Sequence, residues 1–309
     1  MPAVVKENEA NYYCVMALQL LATAIGNSLG VTLRSQPTSR VHGGSINECY
    51  RWEGNAGPLF VKVAPARGRA MFEAEAAGLE ELRRAEAVRV PQVLSVGTSA
   101  GKAWLALEWI QSGLPSRATD AVLGEQLARQ HRSTRPAFGW NRDNTIGRTP
   151  QLNDWDDNWV TFFRDRRLRY QLSLAGNNGH GGRLQHRAEA LLDRVSEFFS
   201  TCQPAPSLLH GDLWGGNRAA DEQGNPVIFD PAVYYGDREA DLAMTRLFGG
   251  FGPAFYAAYE SAWPLAAGAP ARADLYNLYH VLNHLNLFGR GYLVQAESLI
   301  DSLLAEVGH

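Results

Sequence analysis

Apolar and polar positions change rhythm about a third of the way along the chain. Between residues 31 and 109, short apolar runs at 49–52, 59–63 and 104–110 stand between turn-forming residues, which is the pattern of short strands. One stretch, 70–87, instead repeats its apolar residues at helical spacing. The run 14–25 reads as an N-terminal helix, too short to cross a bilayer and preceded by Glu7 and Glu9, not by a basic leader. Beyond Gly113 the rhythm is helical at 120–132, 155–175, 187–200, 240–247 and 275–287. A β-like pair, 208–213 with 227–229, interrupts it and is expected to close through the turn residues 221–226.

No repeat or low-complexity block disturbs this order, so the expected class is α+β with two lobes. Residues 1–110 would form a small antiparallel β lobe with the N-terminal helix and one main helix, and bind nucleotide. Residues 111–309 would form a larger, mainly helical lobe with a catalytic loop and the substrate site. That outline resembles the one of a protein-kinase-like enzyme.

The strongest chemical signal is His-Gly-Asp-Leu-Trp-Gly-Gly-Asn at 210–217, followed thirteen residues after Asn217 by Asp230 at the end of an apolar strand. Phosphoryl transfer to an alcohol needs a carboxylate to accept the hydroxyl proton and oxygen ligands for the magnesium on the triphosphate. Asp212 and Asn217 have the spacing of a kinase base and its metal-binding partner, and Asp230 stands where the second metal carboxylate belongs. Any one of them alone reads more simply as a turn residue; their ordered combination does not.

Lys62 lies inside the apolar strand 59–63, where a buried ammonium needs an anion such as an ATP phosphate, although a snorkelling edge-strand lysine would explain this residue alone equally well. In the helix that follows, Glu75 falls on the apolar face marked by Phe72, Leu79 and Leu82, whereas Glu73 and Glu80 point outward. Glu75 is therefore the expected ion-pair partner of Lys62. Gly43, Gly44 and Ser45 precede this strand and could bring backbone amides to the phosphates, although a plain hairpin turn explains the glycines equally well. Adenine is expected to bond the Glu108 carbonyl and the Ile110 amide.

Six segments carry a more specific signal: FVKV, MFEAEAAGLEEL, FGWNRDNTIG, HGDLWGGN, DPAVYYGDREADLAM and LNHLNLFG. In this order and spacing the chain resembles the fructosamine kinase family from about Val31 to Leu304. HGD with a downstream Asp is shared with aminoglycoside phosphotransferases and choline kinases; Trp214-Gly-Gly and YYGDREADLAM are more particular. The resemblance implies ATP- and Mg2+-dependent phosphorylation of the sugar 3-hydroxyl of ketosamines, free or protein-bound, with Asp212 as base and Asn217 and Asp230 holding magnesium. It also marks Asp241 as a support for the catalytic loop, although a helix cap would explain that residue as well. Trp214 and His284 are the candidates for substrate contact, with core packing as the alternative for Trp214. Ser45 stands where some members carry a disulfide-forming cysteine, so that link is not expected unless Cys49 substitutes for it, and Gly211 stands where protein kinases place the arginine of their phospho-switch, so no such switch is expected.

Composition narrows the alternatives. A net charge of -3, from 29 basic and 32 acidic residues, offers no field for nucleic acid or anionic lipid. Three widely spaced cysteines, Cys14, Cys49 and Cys202, suit neither a zinc site nor a disulfide framework, and point to the cytoplasm. A monomer or weak homodimer is expected. His280 and His284 have metal-ligand spacing without a third ligand. The basic run 164–169 reads as a solvated face with one or two internal pairs, and His131 as a buried support for the catalytic loop.

Overall fold

The computed structural model describes residues 2–41 and 47–308, with the side chains of residues 2–15 left aside. It divides into two compact units, Met1–Arg83 with Val90–Ser112, and Arg84–Arg89 with Gly113–His309.

The first unit begins with helix α1 (Pro2–Leu29). It continues with strands β1 (Ser39–Val41), β2 (Glu48–Gly54) and β3 (Gly57–Pro65), helix α2 (Arg69–Arg84), and strands β4 (Val93–Ser99) and β5 (Lys102–Glu108). Among the described residues these strands form one antiparallel sheet in the order β1-β2-β3-β5-β4. The β4–β5 turn shows why the register holds: Ala100 (φ 49°) and Gly101 (φ 74°) both take the left-handed conformation that a two-residue hairpin loop matched to strand twist requires. Leu21 and Ile25 of α1 pack with Trp52, Val61, Val63 and Trp104 into a closed core. Trp52 is fully buried and keeps its indole N–H satisfied by the Arg34 carbonyl at 2.7 Å.

The second unit opens with α3 (Arg117–His131), which starts at a reciprocal cap in which Ser116 and Thr119 bond each other's backbone amides. The hairpin of β6 (Asn144–Ile146) and β7 (Thr149–Gln151) follows. Helix α4 (Trp159–Phe162) runs through a π-helical turn, Phe163–Arg169, into α5 (Tyr170–Asn177) and on to α6 (Arg183–Leu192). Strands β8 (Ser207–Leu209), β9 (Arg218–Ala220), β10 (Pro226–Ile228) and β11 (Tyr234–Gly236) carry the catalytic segment. Helices α7 (Glu239–Leu247), α8 (Pro253–Ala262), α9 (Ala269–Phe288) and α10 (Leu293–Glu306) complete it.

The strand pairing corrects the expected one. The strand before the catalytic loop does not pair with β10; β8 pairs with β11, and β9 pairs with β10. The physical reason is the turn at 221–225, where the Asp221 carboxylate accepts the amides of Gln223 (3.0 Å) and Asn225 (2.8 Å) and folds β10 directly back on β9. Within the basic run 164–169 it is Arg167 that turns inward, fully buried. It donates to the Leu152 carbonyl and the Asn153 side chain, and its guanidinium stands 4.2 Å from the centre of the Tyr234 ring. Its neighbours do follow the expected pattern, Arg164 and Arg169 pairing with Asp165 and Arg166 with Asp154. The β6–β7 hairpin and helices α8 and α10 had no counterpart in the sequence pattern. Among the described residues no helix is long and apolar enough to cross a membrane.

Candidate active site

In the second unit the catalytic segment leaves β8 at His210, whose ring is fully buried. Its Nε2 donates to the Phe229 carbonyl at 3.0 Å and its Nδ1 accepts the Asp212 amide at 3.3 Å, an arrangement that needs the neutral ring. Burial accordingly lowers its pKa. Gly211 has φ 82°, and a Cβ there would stand 2.1 Å from the Ala232 carbonyl oxygen. Only glycine allows this turn, which carries Asp212 past the end of the strand.

Asp241, in the first turn of α7, accepts the amides of His210 at 2.7 Å and Gly211 at 2.8 Å. Its Oδ2 also meets His131 Nε2 at 3.1 Å, and His131 Nδ1 meets the Tyr259 hydroxyl at 2.8 Å. Burial alone would raise the Asp241 pKa; the bond and charge of His131, with His210 and the Gly211 amide, reverse the sign and lower it. Of the two roles open to Asp241, loop support is the one realised.

Asn217 donates from Nδ2 to the Asp212 carbonyl at 2.8 Å and to the Asp212 carboxylate at 3.1 Å, which orients that carboxylate. Asp230 follows β10 in the left-handed conformation, φ 58°, a strain of about 1 kcal/mol that Asp tolerates better than most residues. Burial, and then the charge of Asp230, push the Asp212 carboxyl up to about 7. A carboxyl poised there is ready both to hold and to release a proton near neutral pH. The negative charge that raises it is also what a divalent cation would relieve. Asn217 and Asp230 offer hard oxygen donors, and among the described residues no group of three or more His, Cys, Asp or Glu could hold a metal. That donor set fits magnesium, which is held by one or two protein ligands together with substrate phosphates and water.

In the first unit, Lys62 sits in β3 at 4% exposure with Nζ 2.6 Å from Glu75 Oε1 on α2. Glu73 pairs outward with Arg69 at 2.7 Å. Apolar residues in place of a buried ion pair generally serve stability as well or better, so the pair is an expensive feature for the fold alone. Glu108 ends β5 with its amide bonded to the Gln92 carbonyl, and Ile110 lies two residues past the strand. Gly43, Gly44 and Ser45 lie outside the described residues.

Trp214 is half-buried and its ring lies over Gly216, where a Cβ would come within 2.3 Å of it. The ring edge meets Phe248 at 6.1 Å between centroids, and Phe248 meets His284 at 4.8 Å. The two substrate candidates are thus joined through Phe248, which sequence reasoning missed. His284 Nδ1 donates to the His280 carbonyl at 2.8 Å, and burial lowers the pKa of its ring.

A second missed group is the β6–β7 hairpin. Asn144 donates to the Val233 carbonyl at 2.8 Å and Gln151 to the Ala232 carbonyl at 3.0 Å, while the Ala232 amide bonds the His210 carbonyl at 2.8 Å. The hairpin thereby braces the backbone just beyond Asp230. The FGWNRDNTIG segment contains Asn144, but nothing in its pattern shows which carbonyl the side chain meets.

Comparison with known proteins shows which family the chain resembles. Residues 17–306 match the family model described as fructosamine kinase. The chain is 45% identical over 287 residues to a "Probable ketoamine kinase" of Synechocystis sp., covering 93% of this chain and 96% of that one. It is 43% identical over 267 residues to a chloroplastic protein-ribulosamine 3-kinase of Arabidopsis thaliana, covering 85% of this chain and 81% of that one. Among solved structures, a "putative fructosamine-3-kinase" of Thermobifida fusca superposes with a TM-score of 0.82 at 32% identity, covering 92% of this chain and 98% of the other. A thermostable aminoglycoside phosphotransferase APH(4)-Ia, solved with ADP and hygromycin B, has a TM-score of 0.64 at 14% identity over 93% of this chain and 99% of its own, which shows the shared fold.

Proposed function

The chain belongs to the fructosamine kinase family and has its protein-kinase-like α+β fold, and on that premise we propose that it is an ATP-dependent kinase of ketosamines acting on the sugar 3-hydroxyl. The observation that carries the reading is Asp212: oriented by Asn217, raised to about 7, and set on a turn that Asp241 holds from beneath. As its ionised form, Asp212 accepts the proton of the attacking hydroxyl, whose oxygen then takes the terminal phosphoryl group of ATP. Asn217 and Asp230 are the residues that would hold magnesium, which neutralises charge developing on the phosphates. Lys62, kept in place by Glu75, supplies the cation for the nucleotide phosphates. Trp214 and His284 would line the acceptor, an aromatic face for its cation and an imidazole for its hydroxyls.

The rival reading is a kinase of the same fold that acts on an aminoglycoside or amino alcohol. The relatives whose names mention ketoamine and ribulosamine favour the first reading over the second. The test is a panel: purified protein with ATP and Mg2+ against ribuloselysine, fructoselysine and aminoglycosides. ADP should form with at least one ketosamine; turnover with aminoglycosides alone would reject the assignment.

A further inference from the structure

The second unit contains a cavity of about 280 Å³ that no step of the proposed chemistry uses; Ser207, Asp237, Arg238, Trp263, Pro264 and Leu265 are among the residues that line it. Ser207 opens β8 and pairs with Gly236 of β11, which immediately precedes Asp237. The catalytic turn leaves the other end of β8 at His210, three residues and about 10 Å of strand further on. The polar groups of the cavity are incompletely matched. Ser207 is 1% exposed, yet its Oγ has no hydrogen-bond partner among the described residues. Arg238, also buried, donates to the Tyr259 hydroxyl and to the Trp263 and Pro264 carbonyls, with its guanidinium 4.1 Å from the centre of the Trp263 ring. Those bonds leave two of the five guanidinium N–H groups for another acceptor. Glu239 cannot neutralise Arg238, because Arg272 already holds both of its carboxylate oxygens, at 2.8 and 2.9 Å. Asp237 accepts only the Glu239 amide and the Tyr276 hydroxyl, and burial, followed by the charge of Glu239, raises its pKa. With Glu239 and Arg272 cancelling each other, one buried charge of each sign remains at the cavity wall.

We propose that this cavity is a second ligand site, which binds a zwitterionic α-amino acid with an apolar side chain: the carboxylate on Arg238, the ammonium on Asp237 and the Ser207 Oγ, and the side chain against Trp263, Pro264 and Leu265. The charges select the class. A ligand of one sign would satisfy Asp237 or Arg238 and leave the other buried and unmatched, whereas a zwitterion meets both. Asp237 and Arg238 are consecutive residues with Cα atoms about 3.8 Å apart, and an α-amino acid carries its two charged groups on a single carbon. The size agrees, since sites for drug-sized ligands run from about 300 to 1,000 Å³ and this one is smaller. Polar groups that fix orientation beside an apolar wall are the usual make-up of a small-molecule site. The inference does not depend on which acceptor the kinase phosphorylates.

The test is calorimetric titration of the full chain with L-leucine and with the two compounds that each lack one of its charges, 3-methylbutylamine and 4-methylpentanoate. Leucine should bind with a Kd of about 1 mM or tighter. Each analogue should bind at least about tenfold more weakly, the scale of one charge-assisted hydrogen bond. Ser207→Ala should keep the parent's melting temperature in the absence of ligand, because its Oγ bonds nothing in the fold, and should weaken leucine binding by about fivefold. Trp214→Ala should bind leucine as the parent does, because the acceptor site takes no part. The inference is overturned if the parent does not bind leucine, if either analogue binds as tightly as leucine, or if Ser207→Ala binds it like the parent. Loss of binding in Trp214→Ala would overturn it too, by placing leucine in the acceptor site.

Discussion

Replacing Asp212 by asparagine should stabilise the folded protein at alkaline pH while removing its activity. The carboxyl rises from an ordinary 3.8 to about 7, chiefly through burial and then through the charge of Asp230. A carboxyl raised on folding adds stability below its unfolded value, and that contribution is lost as pH climbs through the folded value. About three pKa units correspond to about 4 kcal/mol, an upper bound because the side chain retains some contact with solvent. The asparagine side chain cannot ionise and keeps an oxygen to accept the Asn217 amide. The melting temperature of Asp212→Asn should therefore equal that of the parent near pH 4 and exceed it increasingly up to about pH 8. At about 2 °C per kcal/mol for a chain of this size, the gap should reach several degrees. Turnover should fall by about a hundredfold or more, with ATP affinity nearly intact. Scanning calorimetry from pH 4 to 9 without metal reads the gap directly. A difference independent of pH, or a parent more stable than the variant at pH 8, would refute the account of Asp212.

Two further substitutions probe its surroundings. Asp230→Ala should abolish the magnesium-dependent part of ATP binding, since a carboxylate ligand is lost; calorimetry that finds the same magnesium-dependent affinity as in the parent would remove Asp230 from the metal site. Asp241→Ala leaves the amides of His210 and Gly211 and the ring of His131 without their buried acceptor, and should cost about 3–5 kcal/mol in chemical denaturation; a loss below about 1 kcal/mol would show that the loop holds without it.

The sequence makes the chemistry more legible than the topology. Lys62 and Glu75 could be paired from periodicity alone because a charged residue on an apolar helix face has few other partners to find. Asp212, Asn217 and Asp230 could be read together because phosphoryl transfer requires those residue types in that order. Strand partners were another matter: β8 finds β11 across more than twenty residues, and no local signal encodes a pairing whose reward comes only after the loop closes. Which arginine of the run 164–169 turns inward was not readable, because the charge of Arg167 is met by carbonyls and rings, which leave no trace in a charge pattern. Phe248 and the β6–β7 hairpin escaped for a similar reason, since their roles depend on which distant backbone or ring they meet.

Phosphorylation of the 3-hydroxyl of a ketosamine is tested most directly by the fate of the product. A phosphate at that position sits on the carbon next to the ketose carbonyl. The enaminol tautomer of the product can expel it as inorganic phosphate, and water then cleaves the resulting imine to free the amine. With ribuloselysine or fructoselysine as acceptor, ADP should form first, and free lysine and phosphate should follow slowly in amounts proportional to it. ADP formation with a phosphorylated product that persists and releases no lysine would place the phosphoryl group on another hydroxyl and contradict the claim.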